Sequence, residues 1–129
     1  MTDPSEDAVA FDRFLAASAP EVAVAAMALR QAVLDAVPAA VEWFDPGNGL
    51  LAFGTSRTMR GLMFAIVPHK AHVNLQFVDG VDLPNPDGRL EGTGKRARHI
   101  KVRTVADAGA PWLRAAIAAQ LAYRTTADA

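Results

Sequence analysis

Apolar residues along the chain follow two rhythms, and the change between them falls near residue 40. Before it, the larger side chains recur at helical spacing. Val9, Phe11, Phe14 and Leu15 predict a first helix over 5–17. Val22, Ala25, Ala26, Leu29, Val33 and Val37 predict a second, which Pro38 ends. Between them, Ser18-Ala19-Pro20-Glu21 has the form of a capping box, with Ser18 as N-cap and Glu21 reaching back to its amide. Pro20 is tolerated in that first turn because its missing N–H would have no partner there.

After residue 40 the rhythm shortens to runs divided by turn residues. Strands are predicted over 41–44, 50–54, 62–67, 71–78 and 98–103. Asp45-Pro46-Gly47-Asn48-Gly49 is a dense turn signal between the first two. The third run is almost wholly apolar and suits a central strand buried on both faces. The fourth and fifth alternate, with His72, Asn74 and Gln76, then His99, Lys101 and Arg103, on their outward sides. Residues 79–95 lack a strand or helix pattern, and connections of that length inside a domain are usually functional or mobile. A last helix is predicted over 110–124, with Pro111 in its first turn and Trp112, Leu113, Ala116, Ile117 and Leu121 as its stripe. The expected fold is therefore two-layer α+β: an antiparallel sheet of about five strands with N-terminal helices and a C-terminal helix on one face.

Length and composition narrow this. The 129 residues make one domain, taken as 1–129. Hydrophobic residues are 51%, but 27 of them are alanine, so the helices are expected to be Ala-rich and the sheet to hold the larger side chains. Zero cysteines exclude a disulfide framework, thiol catalysis and Cys-type metal sites. The acidic, polar N-terminus does not read as a signal peptide, and no apolar run has the length of a membrane span, so a cytoplasmic location is expected. The net charge of −1 conceals a division: residues 1–45 hold 8 acidic and 2 basic residues, and residues 57–103 hold 9 basic and 4 acidic.

That basic half contains the candidate chemistry. Gly92-Thr93-Gly94-Lys95-Arg96 reads as an anion-binding nest, in which two glycines let backbone N–H groups approach a ligand and two cations supply charge. The glycine spacing is not that of a P-loop. His72, Asn74, Gln76, His99 and Lys101 are expected to face outward and to line a shallow polar pocket beside it. The same charged strand face also reads as a solvated edge that discourages aggregation. His69 and His72 are three apart, so they converge only if the turn at Pro68-His69-Lys70 reorients one of them. Three histidines alone would need carboxylates to complete a zinc site. Trp43 and Trp112 read as core anchors. Residues 95–103 contain no aromatic, which argues against a nucleic-acid face. No nucleophile elbow or metalloprotease motif is present, so the reading leans away from an enzyme.

Three runs carry a family resemblance: Lys70-Ala71-His72-Val73-Asn74-Leu75-Gln76-Phe77, Gly80-Val81-Asp82-Leu83-Pro84-Asn85-Pro86-Asp87-Gly88, and Leu90-Glu91-Gly92-Thr93-Gly94-Lys95-Arg96-Ala97-Arg98-His99-Ile100-Lys101. Together with Pro38-Ala39-Ala40-Val41-Glu42 they resemble the YdhG-like family, a domain of unknown function, over about 21–122. Where that family has a Trp-Gly-x-Pro turn, this chain has Trp43-Phe44-Asp45-Pro46. The resemblance implies a small α+β fold with an antiparallel sheet. Some relatives are described as frataxin-like iron chaperones, which implies Fe²⁺ held by an acidic helix surface, here Asp3, Glu6, Asp7 and Asp12. Acids near a helix start also complement its dipole.

The expected function is a non-enzymatic module that binds a small anionic or phosphorylated molecule, with no membrane partner. The alternatives are a frataxin-like iron-binding protein, and a protein-interaction module or homodimer that pairs through a sheet edge.

Overall fold

Ser5 starts the first helix with its own side chain. Its Oγ accepts from the Ala8 N–H at 3.0 Å, an N-cap that satisfies one of the orphan amides of α1 (Glu6–Phe14). The computed structural model describes residues 5–127. A single 3₁₀ turn, Leu15–Ala17, extends α1, and the Ser18 N–H closes that turn on Leu15 O. Ser18 therefore completes the preceding turn and does not cap the next helix, contrary to the capping-box expectation. α2 (Pro20–Ala36) starts from Ala19 without a side-chain cap, with Pro20 as its first residue and Glu21 too early to reach back.

Five strands follow as a meander, β1 (Val41–Asp45), β2 (Leu50–Gly54), β3 (Leu62–Pro68), β4 (Val73–Phe77) and β5 (Arg98–Val102), all antiparallel and in sequence order across one sheet. The turn into β2 needs Gly49, at φ +64°, with the Phe14 ring 3.1 Å from where a Cβ would stand. At the start of β3 the register passes from Phe53↔Phe64 to Gly54↔Leu62, so Met63 is an extra residue on that strand. The bulge leaves Met63 and Phe64 both buried in the core. Gly54 permits the tight approach there, since a Cβ would lie 2.2 Å from Gly61 O. After β5 comes α3 (Val105–Ala108), absent from the sequence reading. Its signal was present: Thr104 accepts from Asp107 N, and Asp107 accepts from Arg103 N, a reciprocal cap written as T-x-x-D. α4 (Pro111–Ala127) ends the fold.

Alternation gives each strand two faces. Leu51, Phe53, Phe64, Ile66, Val73, Leu75, Phe77, Ile100 and Val102 form one cluster with Phe11, Leu15, Val22, Leu29, Val33, Leu113 and Ile117 of the helices. α2 contacts β3 and β4, α1 contacts β1 and β2, and α4 packs on α2. Two ionic groups tie these layers at opposite ends. Near β1, the mostly buried Glu42 takes both a bidentate Arg30 from α2 and the Ser5 hydroxyl, so one carboxylate joins both N-terminal helices to the sheet edge.

The other is Asp79, just after β4 and 3% exposed. Its carboxylate accepts from Arg96 at 2.7 Å, from Gln120 at 2.7 Å and from Arg124, while its own N–H donates to Gln120 Oε1. Arg124 continues to the carbonyls of Arg60 and Leu62. Burial alone would raise the Asp79 pKa, but the hydrogen bonds from Arg96, Arg124 and Gln120 outweigh it and hold the carboxyl below its ordinary value. The stabilisation is therefore complete above the unfolded value near pH ~4 and is lost as pH falls through the lowered folded one. Asp79→Asn leaves Arg124 without its counter-charge and Arg96 with Asp82 alone, and should cost about 3 kcal/mol. In thermal unfolding at pH 7 that is a drop in Tm of roughly 10 °C; a change under 2–3 °C would show the cluster to be dispensable.

Candidate functional site

No helix residue lines the cavities on the second face of the sheet, and the middle of that face is built from small residues. Across the strands one row runs Trp43, Ala52, Ala65, Gln76, His99. In the next row Asp45 stands opposite Leu50, and Val67, Asn74 and Lys101 follow on β3, β4 and β5. Ala52 and Ala65 are buried, yet neither belongs to the helix-side core. Two alanines between larger neighbours make a depression in the face.

Two adjoining cavities occupy it. The first, about 390 Å³, has Trp43, Leu50, Met59 and Leu62 around the two alanines, with Gln76 and Arg96 at its polar side. The second, about 320 Å³, is lined by His69, Asn74, Gln76 and His99 with Val67. Asn48, Leu50 and Gln76 line both, so the two form one trough, apolar toward β1–β3 and imidazole-and-amide toward β4–β5. At the apolar end, hydrogen bonds from the Asn48 side chain and amide lower the Asp45 pKa and keep it ionised.

The histidine corner is ordered by a tight turn. His69 N–H donates to His72 O at 2.8 Å, which brings both rings to one side, stacked with centroids 4.9 Å apart. The turn does reorient one imidazole, overriding the odd spacing. Asn74 Nδ2 lies 3.1 Å from His69 Nε2, and Asn74 Oδ1 is buried without a partner. Burial lowers the His72 pKa first, and His69, Lys101 and Arg103 lower it further; only the Asn74 side chain raises it.

The expected site residues separate into two groups. Asn74, Gln76 and His99 share the trough, with His72 beside His69 and Lys101 next to Asn74 in register. Lys101 Nζ is 3.8 Å from Glu91, its nearest acid. Gly92, Thr93, Gly94 and Lys95 are exposed and line neither cavity. Gly92 has φ +129°, and Gly94 O accepts from Arg98. Arg96 forms part of the apolar cavity's wall, but its guanidinium is committed to Asp79, with Asp82 3.6 Å away. Trp43 corrects an expectation: it faces the open side, because its neighbour Phe44 takes the inward position against Phe11 and Phe14. Trp112 does pack against the core, with Arg89 stacked 4.0 Å from its ring. Missed altogether was the Ala52/Ala65 floor, and His69, weighed with His72 in the sequence, was not among the expected ligand-binding residues. The legible signal for the floor was a lone alanine at the same parity in two neighbouring strands.

Of the acidic residues considered for iron, Asp3 lies outside the described residues. Asp7 uses one oxygen for the Phe44 N–H and the other for Arg57. Glu6 and Asp12 are exposed and six residues apart, on different sides of α1. These three do not converge, and among the described residues no group of three or more His, Cys, Asp or Glu side chains is arranged to hold a metal ion. No described helix is long and apolar enough to cross a membrane.

No family model, no curated protein and no solved structure matches the chain.

The His72 environment gives a direct check. Lys101→Gln removes a cation that disfavours the imidazolium, so the His72 midpoint in an NMR titration should move up toward the ordinary histidine value. An unchanged midpoint would contradict the placement of Lys101 beside it.

Proposed function

We propose that the protein is a binding module for a small amphipathic anion, held in the trough on the open sheet face. The observation that carries this reading is the pair of adjoining cavities, one apolar and one lined by imidazoles and amides. Each is within the roughly 300–1,000 Å³ range of small-molecule sites, and the combination of an apolar body with a few convergent polar groups is the usual design of such sites. Charge selects the sign of the ligand: His69, His72, His99, Lys101 and Arg103 gather at the β4–β5 end, where Glu91 is the acid paired with Lys101. An apolar or aromatic body lies over Ala52 and Ala65 against Trp43, and a carboxylate, phosphate or sulfonate head meets the histidines. The Gly92–Lys95 loop has no part in this version of the site; the anion is placed on the strand face.

Titration with 2-naphthalenesulfonate, followed by amide NMR, should shift Ala52, Ala65, Gln76 and His99 together. Ala65→Leu fills the floor without entering the helix-side core, and should weaken binding more than tenfold while costing about 1–3 kcal/mol of stability. Shifts confined to Gly92–Lys95 or to the separate groove that Gln31 and Asp35 of α2 form with Arg114 of α4, or none at millimolar probe, would overturn the reading.

A further inference from the structure

Nothing in the shape of the trough explains why two imidazoles are stacked at its anionic end beside an amide that lacks a partner. Two cationic rings 4.9 Å apart would repel each other, and Lys101 and Arg103 add to that repulsion. Asn74 Oδ1 works in the opposite direction. It is a buried acceptor without a donor, which is an unfavourable state, and an imidazolium at His72 is what it favours. The corner therefore holds two opposed pressures, and a negative charge seated there would decide between them.

We propose that the trough is a proton-coupled anion site, in which His72, stacked on His69, takes up a proton as the ligand's anionic head binds, with Asn74 as the positioning residue that accepts from the resulting imidazolium. This rests on the trough being the binding site. In the free protein burial and the cationic neighbours disfavour the charged form of His72. A bound anion offsets those cations, the proton enters, and Asn74 Oδ1 gains its donor. His69 Nε2 meanwhile accepts from Asn74 Nδ2 at 3.1 Å, so one amide bridges both rings.

The charged groups around the pair are accounted for element by element. Lys70 is in the turn itself, and Lys101 and Arg103 belong to β5 and its exit. His99 lines the same cavity. The acids are Glu91, 3.8 Å from Lys101, and Asp45 on the β1–β2 hairpin, whose two oxygens are bonded to Asn48. Neither acid is hydrogen-bonded to His69 or His72. An external anion is thus the available counter-charge, which makes the histidine pair a determinant of specificity: it favours ligands with a full negative charge over neutral isosteres, increasingly so as pH falls.

The probe is 2-naphthalenesulfonate, whose charge does not change across the range, compared with neutral 2-naphthalenesulfonamide. For the natural chain, Kd for the sulfonate should fall at least tenfold between pH 8 and pH 5.5, against a linkage limit of about tenfold per pH unit for one coupled proton. The sulfonamide should show less than a twofold change. The imidazole NMR titration of His72 should move upward when the sulfonate is saturating. His69→Gln/His72→Gln should weaken sulfonate binding and lose its pH dependence, with its amide spectrum confirming the fold; Asn74→Leu should reduce the upward shift. Sulfonate binding that is flat from pH 8 to 5.5, or a pH dependence that survives in the double variant, overturns proton coupling while leaving the site intact. Absence of binding at every pH overturns the proposed function itself.

Discussion

Asp79 is buried where β4 ends, and three side chains from two distant parts of the chain meet on its carboxylate. Arg96 reaches it from 17 residues away, Gln120 from 41 and Arg124 from 45. A buried carboxylate has no stable place without such partners, so its ionisation demands that α4, the long connection and the β3–β4 end all be present at once. Arg124 then passes the constraint on to the Arg60 and Leu62 carbonyls, next to the Met63 bulge. The wall of the open trough at Arg96 is set by the same cluster. The trough is therefore held by an ionic hub that reaches it through Arg96, while Asp79, Gln120 and Arg124 line neither cavity.

The sheet itself is a division of labour between parities. Inward positions carry phenylalanines and branched side chains and are closed over by α1, α2 and α4. Outward positions carry two alanines at the centre and polar or imidazole groups toward β5. A bulge normally disturbs a face, but here the extra residue keeps Met63 in the core and returns Leu62 to the open side, where it lines the apolar cavity. The histidines act at the boundary of this pattern, in a turn where strand alternation no longer dictates direction.

Much of this was legible from single residues. The strands at 50–54 and 98–102 and the helix ended by Pro38 follow from local periodicity, which needs no partner to be read. The polar parity of Asn74, Gln76 and His99 was legible for the same reason. Ser18 was misread because a Ser-x-x-Glu spacing is equally compatible with closing the turn before a helix as with opening the next one. Arg96 was read as a free cation because nothing within a few residues of it announces Asp79. Trp43 was read as core because two adjacent aromatics, Trp43 and Phe44, leave open which one faces inward; contact with Phe11 and Phe14 decides that.

The amino-acid sequence alone determined the order and kind of the elements, the absence of thiol chemistry, and the separation of an acidic helical half from a basic strand half. These depend on spacings of two to four residues and on counting. Tertiary structure decided which sheet face was covered, which cations remained free, and that His69 and His72 stack beside an unpaired Asn74 oxygen. Those outcomes depend on contacts between residues far apart in the chain, and on burial that makes an unpaired charge or acceptor costly. Local pattern carries no record of either.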